Sequence, residues 1–258
     1  MGDLIYRPLL EDMVWSYSRI RCFEDCPYHF YLKYIAGEDG EPQFYASYGS
    51  FMHKLIQNYY DGSIKKEDMK LEFLAGFSSE VLGDRPSENT VRKYIDSGVR
   101  YLDTFEPFPY NKLAVEQKLD FEINDIPFVG VLDYLGEKDG KLFLVDNKSR
   151  DLKPRSKRST PTQNDREIDD MLIQLYIYSH AIKGEYNSFP GFLCFNCFRN
   201  GNFIIEPFRE EAYEEAIRWI TKRVSRILDA DEFYPKIDFF KCFYLCEHKE
   251  QCCYWKER

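Results

Sequence analysis

The spacing of hydrophobic residues changes near residue 111 and divides the chain into two differently patterned parts. Before that point, apolar side chains recur at helical spacing in four segments, which are residues 16–36, 47–61, 65–82 and 88–105. The first of these helices should be interrupted at Pro27, because proline is accepted in the first turn of a helix but not in its interior. We therefore expect residues 1–110 to form a helical layer.

After residue 111, runs of apolar and alternating residues predict strands. The predicted strands are residues 113–125, 128–135, 141–145, 189–198 and 202–208. Asp139-Gly140 lies between the second and third runs and is typical of a tight hairpin turn. Helices are predicted over 167–184, ending at Gly184, and over 210–230. Residues 151–165 have no apolar period and should form a mobile loop.

This order of elements predicts an α/β fold in which a mixed central β-sheet is flanked by helices. All 258 residues are expected to form one domain. Its parts would be the helical layer, a catalytic sheet with its helices over residues 111–230, and a cysteine-rich tail over residues 231–258. We expect the tail to pack on the N-terminal helix.

Three charged residues occur where the hairpin strands should be apolar. Asp133 lies inside the first run, and Asp146 and Lys148 end the second run on one face of the strand. A carboxylate in an apolar setting is costly unless it is paired or bound to a metal ion. Two carboxylates and a lysine at one edge of a sheet therefore predict a site for a divalent metal.

The overall composition limits the classes of function. The formal net charge is −9, which argues against a general nucleic-acid coat protein. No apolar run is long enough to span a membrane and no signal peptide is evident, so a cytoplasmic protein is expected. The main concentration of basic residues directly follows the predicted metal site. Its candidate DNA-binding residues are Lys153, Arg155, Lys157 and Arg158.

Five short motifs in a fixed order resemble those of the PD-(D/E)XK nuclease superfamily. They are Cys26-Pro27 with Phe30-Tyr31-Leu32, Gly49–His53, Gly130–Asp133, Asp146-Asn147-Lys148 and Gln174–Tyr178. The likeness is greatest to the RecB-type branch, with the AddB nuclease domain, CRISPR-associated spacer-acquisition exonucleases and phage exonucleases. It covers nearly the whole chain and implies a restriction-endonuclease-like core.

The resemblance also implies roles for individual residues. Asp133, Asp146 and the backbone carbonyl of Asn147 would bind Mg²⁺ or Mn²⁺, and His53 would complete this shell. Glu116, on the preceding strand, is a further candidate ligand. Lys148 would orient the attacking water and stabilise charge on the phosphate. Gln174 and Tyr178 would position Lys148, the water or the DNA backbone.

Eight cysteines suggest a second metal centre, because four of them lie in the last seventeen residues. The resemblance implies a [4Fe-4S] cluster bound by Cys26, Cys242, Cys246 and Cys252, with Cys253 as an alternative last ligand. The tail spacing, C-x3-C-x5-C, is one residue longer in its first gap than is typical of the branch. Zinc, with His248 as a possible ligand, and no metal at all remain alternatives. Cys194 and Cys197 are interpreted as buried thiols.

The resulting functional hypothesis is a metal-dependent DNA exonuclease that hydrolyses phosphodiester bonds at single-stranded ends. The resemblance places such activity in DNA recombination, repair or CRISPR adaptation. A helicase or a recombination or integration protein would be its partner. The alternative is a non-catalytic DNA-binding or assembly subunit that keeps the nuclease scaffold and uses the cluster as a staple.

Overall fold

A computed structural model describes residues 5–256 of the chain. The strand patterns after residue 111 form a five-stranded sheet of order β1-β2-β3-β4-β5. Its strands are β1 (Asn111–Ile123), β2 (Ile126–Lys138), β3 (Lys141–Lys148), β4 (Phe192–Cys197) and β5 (Asn202–Pro207). Only β3 and β4 pair in parallel; the other neighbours are antiparallel. The predicted mixed sheet flanked by helices is confirmed.

Helices precede the sheet, connect its parallel strands and follow it. They are α1 (Arg7–Glu11), α2 (Tyr17–Asp25), α3 (Pro27–Phe30), α4 (Phe44–Asp61), α5 (Met69–Glu80), α6 (Glu88–Asp103), α7 (Gln163–Tyr186), α8 (Glu210–Leu228), α9 (Phe239–Tyr244) and α10 (Cys253–Lys256). Helix α3 continues into a wider π-helical turn, Tyr31–Ala36. None of the helices between residues 5 and 256 combines the length and the apolar character that a membrane span requires.

The N-terminal segment is fixed by a helix cap and by a link to the sheet. Ser16 caps α2 by accepting a hydrogen bond from the backbone N–H of Arg19, and Pro27 opens α3 as predicted. Trp15 is buried, and its backbone forms hydrogen bonds with Pro127 and Val129 at the edge of β2. The chain entering α2 is therefore attached to the first half of β2.

Apolar residues are divided between two main cores. One is formed by sheet residues together with α2, α7 and α8. The other lies within the helical layer, between α4, α5 and α6. A smaller cluster that includes Tyr134, Val145 and Cys194 packs against Tyr60 of α4 and so joins the helical layer to the sheet.

Helix α7 differs from the prediction at both ends. It begins at Gln163, where Thr162 and Asp165 form a reciprocal capping box, and it continues past Gly184 to a left-handed cap at Asn187. The loop expected to be mobile is tied to this helix, because Asp165 accepts hydrogen bonds from the backbone N–H and the hydroxyl of Ser156. These polar contacts were not predicted, because hydrogen bonds between polar side chains leave no periodic signal in the sequence.

Candidate active site

The predicted carboxylates meet in a fork between β2 and β3. The register of the two strands ends at the pair Tyr134 and Val145, and the next residues outward are Asp133 and Asp146. Beyond this point β2 pairs with β1, and β3 with β4. The fork therefore separates the two strands just where each carries a carboxylate.

Glu116 reaches the same position from β1. It lies between the paired positions Val115↔Tyr134 and Gln117↔Leu132, and so stands opposite Asp133 in the register. Its backbone has a φ of 47°. A non-glycine residue rarely adopts this left-handed conformation, which costs on the order of 1 kcal/mol and is often found at functional sites. The sequence contains no turn signal here, so this distortion was not predictable.

Helix α4 places His53 beside the carboxylates. The Nδ1 atom of His53 lies 3.4 Å from Oδ2 of Asp133. One ligand atom from each of His53, Glu116 and Asp133 lies within 4.8 Å of the other two. Two of these residues come from the β1–β2 hairpin and His53 comes from α4, which is distant in sequence, so the fold itself builds the group.

A cavity of about 430 Å³ opens beside this group, and it is lined by His53, Gly49, Glu116 and Ser149. A β-carbon at Gly49 would lie 3.6 Å from Oγ of Ser149, which is an ordinary contact. The glycine in this motif therefore leaves the cavity open but is not required by close packing against the protein.

The electrostatics of the site favour binding a cation. Burial and the nearby Asp146 raise the pKa of Asp133 to about 6, although His53 opposes this shift. Burial, followed by Asp133 and Asp146, raises the pKa of Glu116 to about 7. The ionised forms of Glu116 and Asp133 are stabilised when a positive ion binds between them.

The buried Oδ2 of Asp146 has the Lys148 ammonium as its close partner. Its side chain is buried, and the ammonium of Lys148 lies 2.7 Å from Oδ2. This contact is not directed along a hydrogen bond, so Oδ2 has no hydrogen-bond partner within residues 5–256. A buried carboxylate that is paired with an ammonium and lies beside the other carboxylates fits the oxygen-rich donor set that Mg²⁺ and Mn²⁺ prefer.

Lys148 belongs to a polar chain that leads to α7. Its ammonium donates a hydrogen bond to Oε1 of Gln174 at 3.0 Å. The amide of Gln174 in turn donates to the hydroxyl of Tyr178 at 3.1 Å. The sequence placed Gln174 and Tyr178 on one face of a helix, and the structure brings that face to Lys148.

Asn147 is fixed on both its backbone and its side chain. Its N–H donates to Oδ2 of Asp133 at 2.6 Å. Its side-chain oxygen accepts a hydrogen bond from Asn196 at 2.7 Å, and Asn196 also donates to the hydroxyl of Tyr101. This network holds the loop end of β3 in place. The role of the Asn147 carbonyl as a metal ligand stays a prediction.

The predicted DNA-binding loop divides into two kinds of residue. Lys153, Lys157 and Arg158 are exposed. Arg155 instead bonds to Glu206 at 2.8 Å and to Asp169 at 2.6 Å. Its guanidinium is therefore committed to carboxylates within the protein, a pairing that depends on tertiary structure and has no signal in the local sequence.

Two further arginines lie near the site. Arg150, which belongs to the basic run after the predicted metal site, lies two residues after the end of β3. Arg199, which carried no sequence signal, lies two residues after the end of β4, which runs parallel to β3. The guanidinium of Arg199 lies 4.5 Å from the centre of the Tyr94 ring, and both arginines lower the pKa of Tyr94, which burial raises. Parallel pairing thus places two cations beside the strand ends that carry Lys148 and Ser149.

The four cysteines of the predicted cluster line one cavity of about 570 Å³ between the N-terminal helices and the tail. Cys22, which the sequence argument did not include, lines it as well. Burial raises the pKa of Cys22 to about 12 and that of Cys246 to about 11. Cys253 is exposed, and its sulfur lies 3.5 Å from the hydroxyl of Tyr28. Cys194 is fully buried in β4, as is Cys197.

Comparisons with known proteins agree with this architecture. No curated protein has significant sequence similarity to the chain. A solved structure named "Putative exonuclease", from Eubacterium rectale, shares the fold with a TM-score of 0.55 at 13% identity, over 100% of this chain and 93% of that chain. The family model of the PD-(D/E)XK nuclease superfamily matches residues 14–253. This range includes the fork, α4 and α7, so the predicted superfamily is confirmed and the chain belongs to the PD-(D/E)XK nucleases.

Proposed function

We propose that the protein is a Mg²⁺- or Mn²⁺-dependent DNA exonuclease of the RecB-type branch. The observation that carries this proposal is the convergence of His53, Glu116 and Asp133 beside the Asp146–Lys148 pair. Metal ligands and a cation for the phosphate are the groups that phosphodiester hydrolysis requires. Four of the five motifs of the RecB-type branch lie on α4, β2, β3 and α7, which carry this site, and the fifth, at Cys26-Pro27, lies at the cysteine-lined cavity.

His53, Glu116, Asp133 and Asp146 would hold the divalent ion. A bound ion would supply positive charge at the phosphate and lower the pKa of a water molecule. The single imidazole among oxygen ligands favours Mn²⁺ somewhat over Mg²⁺. A bound ion would favour the ionised forms of Glu116 and Asp133, because burial and mutual repulsion raise the pKa of both carboxyl groups.

Lys148 would act on the phosphate and the water from its position beside Asp146. Its ammonium is held between Asp146 and Gln174, so its position is set before substrate binds. A preorganised cation stabilises the charge that develops on the phosphate oxygens in the transition state. Gln174 and Tyr178 would keep the ammonium in that position.

The surroundings of the site support a substrate that is a single strand with a free end. Helix α4 lines the cavity beside the carboxylates, and Tyr45 forms part of its wall. Arg150 and Arg199 would bind backbone phosphates next to the scissile one, since arginine matches phosphate geometry. Tyr45 would offer a stacking surface for a base.

We also propose that Cys26, Cys242, Cys246 and Cys252 hold a [4Fe-4S] cluster. All four line the same cavity, and burial opposes ionisation of the Cys246 thiol unless a metal binds it. Tetrahedral zinc would bring its sulfur ligands to about 3.8 Å from one another. Within residues 5–256, no three cysteine sulfurs lie within 4.8 Å of one another, so the cysteines are not grouped at the spacing of a zinc site.

The test of nuclease function is degradation of end-labelled single-stranded DNA with Mn²⁺ or Mg²⁺. Wild type should release nucleotides, whereas Asp146→Ala and Lys148→Ala should each be at least 100-fold slower. A circular single strand should resist digestion if the enzyme needs an end. Circular dichroism of each variant checks that the fold is retained.

Two results would count against the proposal. Undiminished activity in both variants would reject the assigned site. Tight DNA binding by wild type with no turnover in either metal would favour the alternative, a non-catalytic subunit on a nuclease scaffold. A role in recombination, repair or CRISPR adaptation, with a helicase or integration partner, stays a prediction from the family resemblance.

A further inference from the structure

A second group of metal-binding side chains lies where the tail meets α3. Nε2 of His29 is 3.4 Å from Oε1 of Glu247, and Nδ1 of His248 is 3.9 Å from the same oxygen. One ligand atom from each of the three residues lies within 4.8 Å of the other two. None of them belongs to the nuclease site or to the four proposed cluster ligands.

The two imidazoles present nitrogen atoms that have no partner. His248 is 1% exposed, and its Nε2 lies 2.9 Å from the carbonyl oxygen of Glu38. Because a carbonyl can only accept, Nε2 carries the proton and Nδ1 presents a lone pair. Nδ1 of His248 and Nε2 of His29 are both buried and lack hydrogen-bond partners in the described part of the chain. Such groups are rare in proteins without a compensating ligand.

The position of Glu247, between the two imidazoles, is set by a backbone hydrogen bond and by close packing against a glycine. The N–H of Glu41 donates to the carbonyl of Glu247 at 2.7 Å. A β-carbon at Gly40 would lie 2.7 Å from Cγ of Glu247, so the glycine permits this close approach. The donor set is therefore fixed before any ion arrives.

We propose that His29, Glu247 and His248 bind a divalent transition ion of the Zn²⁺ class. Two imidazoles and one carboxylate form a known zinc donor set, whereas Mg²⁺ prefers oxygen ligands. The hydrogen bond from His248 to a backbone carbonyl is the outer contact that orients a histidine ligand. The bound ion links α3 to the tail independently of the cysteines.

Lys33 competes with the ion for Glu247. Its ammonium pairs with Oε1 of Glu247, the oxygen that both imidazoles face. The ion and the ammonium cannot both occupy the space in front of this oxygen. Removing the ammonium therefore increases the affinity for the ion, whereas removing a histidine decreases it.

Zinc binding by the full chain tests the proposal. Asp133→Asn and Asp146→Asn in every sample suppress zinc binding at the nuclease site. After equilibrium dialysis against Zn²⁺, the protein with these two changes should hold one more zinc equivalent than the same protein with His248→Gln added. Glutamine is chosen at position 248 because its amide keeps a donor for the Glu38 carbonyl. Lys33→Met should bind zinc about tenfold more tightly, and His180→Gln on α7 should change nothing.

X-ray absorption at the zinc edge distinguishes the possible ligands. Binding at this site predicts nitrogen and oxygen neighbours at about 2.0–2.1 Å, while cysteine ligation would place sulfur at about 2.3 Å. The proposal would be overturned if the His248→Gln change removed sulfur neighbours instead of nitrogen and oxygen neighbours. Equal zinc content and affinity in the background, the His248→Gln protein and the Lys33→Met protein would also overturn it. Because Lys33→Met is expected to gain affinity, misfolding cannot produce the predicted result.

Discussion

A β-carbon at Gly130 would lie 2.5 Å from Cε1 of Tyr178. The ring of Tyr178 therefore packs directly on the backbone of β2, three residues before Asp133. Two sequence motifs, one on a strand and one on α7, are thus a single steric unit. Position 130 requires glycine because the ring of Tyr178 occupies the space that a β-carbon would fill. A positive φ is not the reason, since Gly130 has none.

Gly130→Ala should push Tyr178 away and disturb the hydrogen bonds that run through Gln174 to Lys148. Overpacking of this kind costs about 1–3 kcal/mol of folding free energy, and we expect activity to fall at least tenfold. Urea unfolding and DNA degradation measure the two effects. The matched control is Gly184→Ala in α7, where nothing lies within 4 Å and the helix should gain about 0.5–1 kcal/mol. Equal activity of the Gly130→Ala variant and wild type would show that the ring does not position the site.

Gln174→Leu tests whether Gln174 positions Lys148. Leucine removes the acceptor of the 3.0 Å hydrogen bond from the ammonium while keeping a similar volume. A hydrogen bond to a charged group contributes about 1.5–3 kcal/mol, so kcat should fall by about 10- to 100-fold. Gln163→Leu, at an exposed glutamine in the first turn of α7, should leave kcat unchanged. An unaltered kcat with a raised KM would instead assign Gln174 to substrate binding.

The sequence predicted the secondary-structure elements and the carboxylates of this site better than the tertiary contacts between them. Asp133 and Asp146 stood out because charge interrupts apolar runs, and the Asp139-Gly140 turn fixed their strands as neighbours. The left-handed backbone of Glu116 and the ion pairs of Arg155 depend on tertiary contacts, which local pattern does not encode. Similarly, Arg199 lies near the site only because β3 and β4 pair in parallel. The end of α7 was placed too early because glycine is a common helix stop, yet here it lies inside the helix.

The metal-free protein should become less stable as pH rises from about 5 to 8. The folded-state pKa of Glu116, about 7, and that of Asp133, about 6, both lie above the ordinary carboxyl values. Such raised values mean that the fold favours the protonated forms, so their contribution to stability is complete below about pH 4 and is lost as pH rises through 6 to 7.

Thermal unfolding with a chelator present measures this dependence. Glu116→Gln should reduce the fall in Tm with pH, whereas Glu122→Gln, at an exposed position on the same strand, should not. Added Mn²⁺ should raise Tm most at high pH, because the ion binds the ionised carboxylates. A Tm that is independent of pH in the metal-free wild type would contradict the proposed electrostatics.

Arg199→Ala should weaken binding of single-stranded DNA by about three- to tenfold and reduce its salt dependence, because one phosphate contact is lost. Binding is best measured by fluorescence anisotropy in the inactive Asp146→Asn background at several salt concentrations. Arg92→Ala removes the same charge from an exposed position on α6 and serves as the control. If Arg199→Ala and Arg92→Ala weaken DNA binding by the same factor, the effect of Arg199 would come from the change in net charge alone.

Cys246→Ser should abolish the iron–sulfur cluster, whereas Cys194→Ala should leave it intact. Cys246 lines the cavity that contains the other proposed ligands, but Cys194 is fully buried in β4 among sheet residues. Iron and sulfide analysis of anaerobically purified protein should therefore give about four of each in wild type and in Cys194→Ala, with a broad absorption near 400 nm.

Cys22→Ser is the informative third variant, since Cys22 lines the same cavity. Loss of iron in Cys22→Ser, but not in Cys252→Ser, would replace Cys252 with Cys22 in the ligand set and place two ligands on α2 and its cap. Zinc in place of iron, or no metal in wild type, would reject the cluster and leave the tail held by its packing and ion pairs, such as that between Lys241 and Asp25 at 2.8 Å.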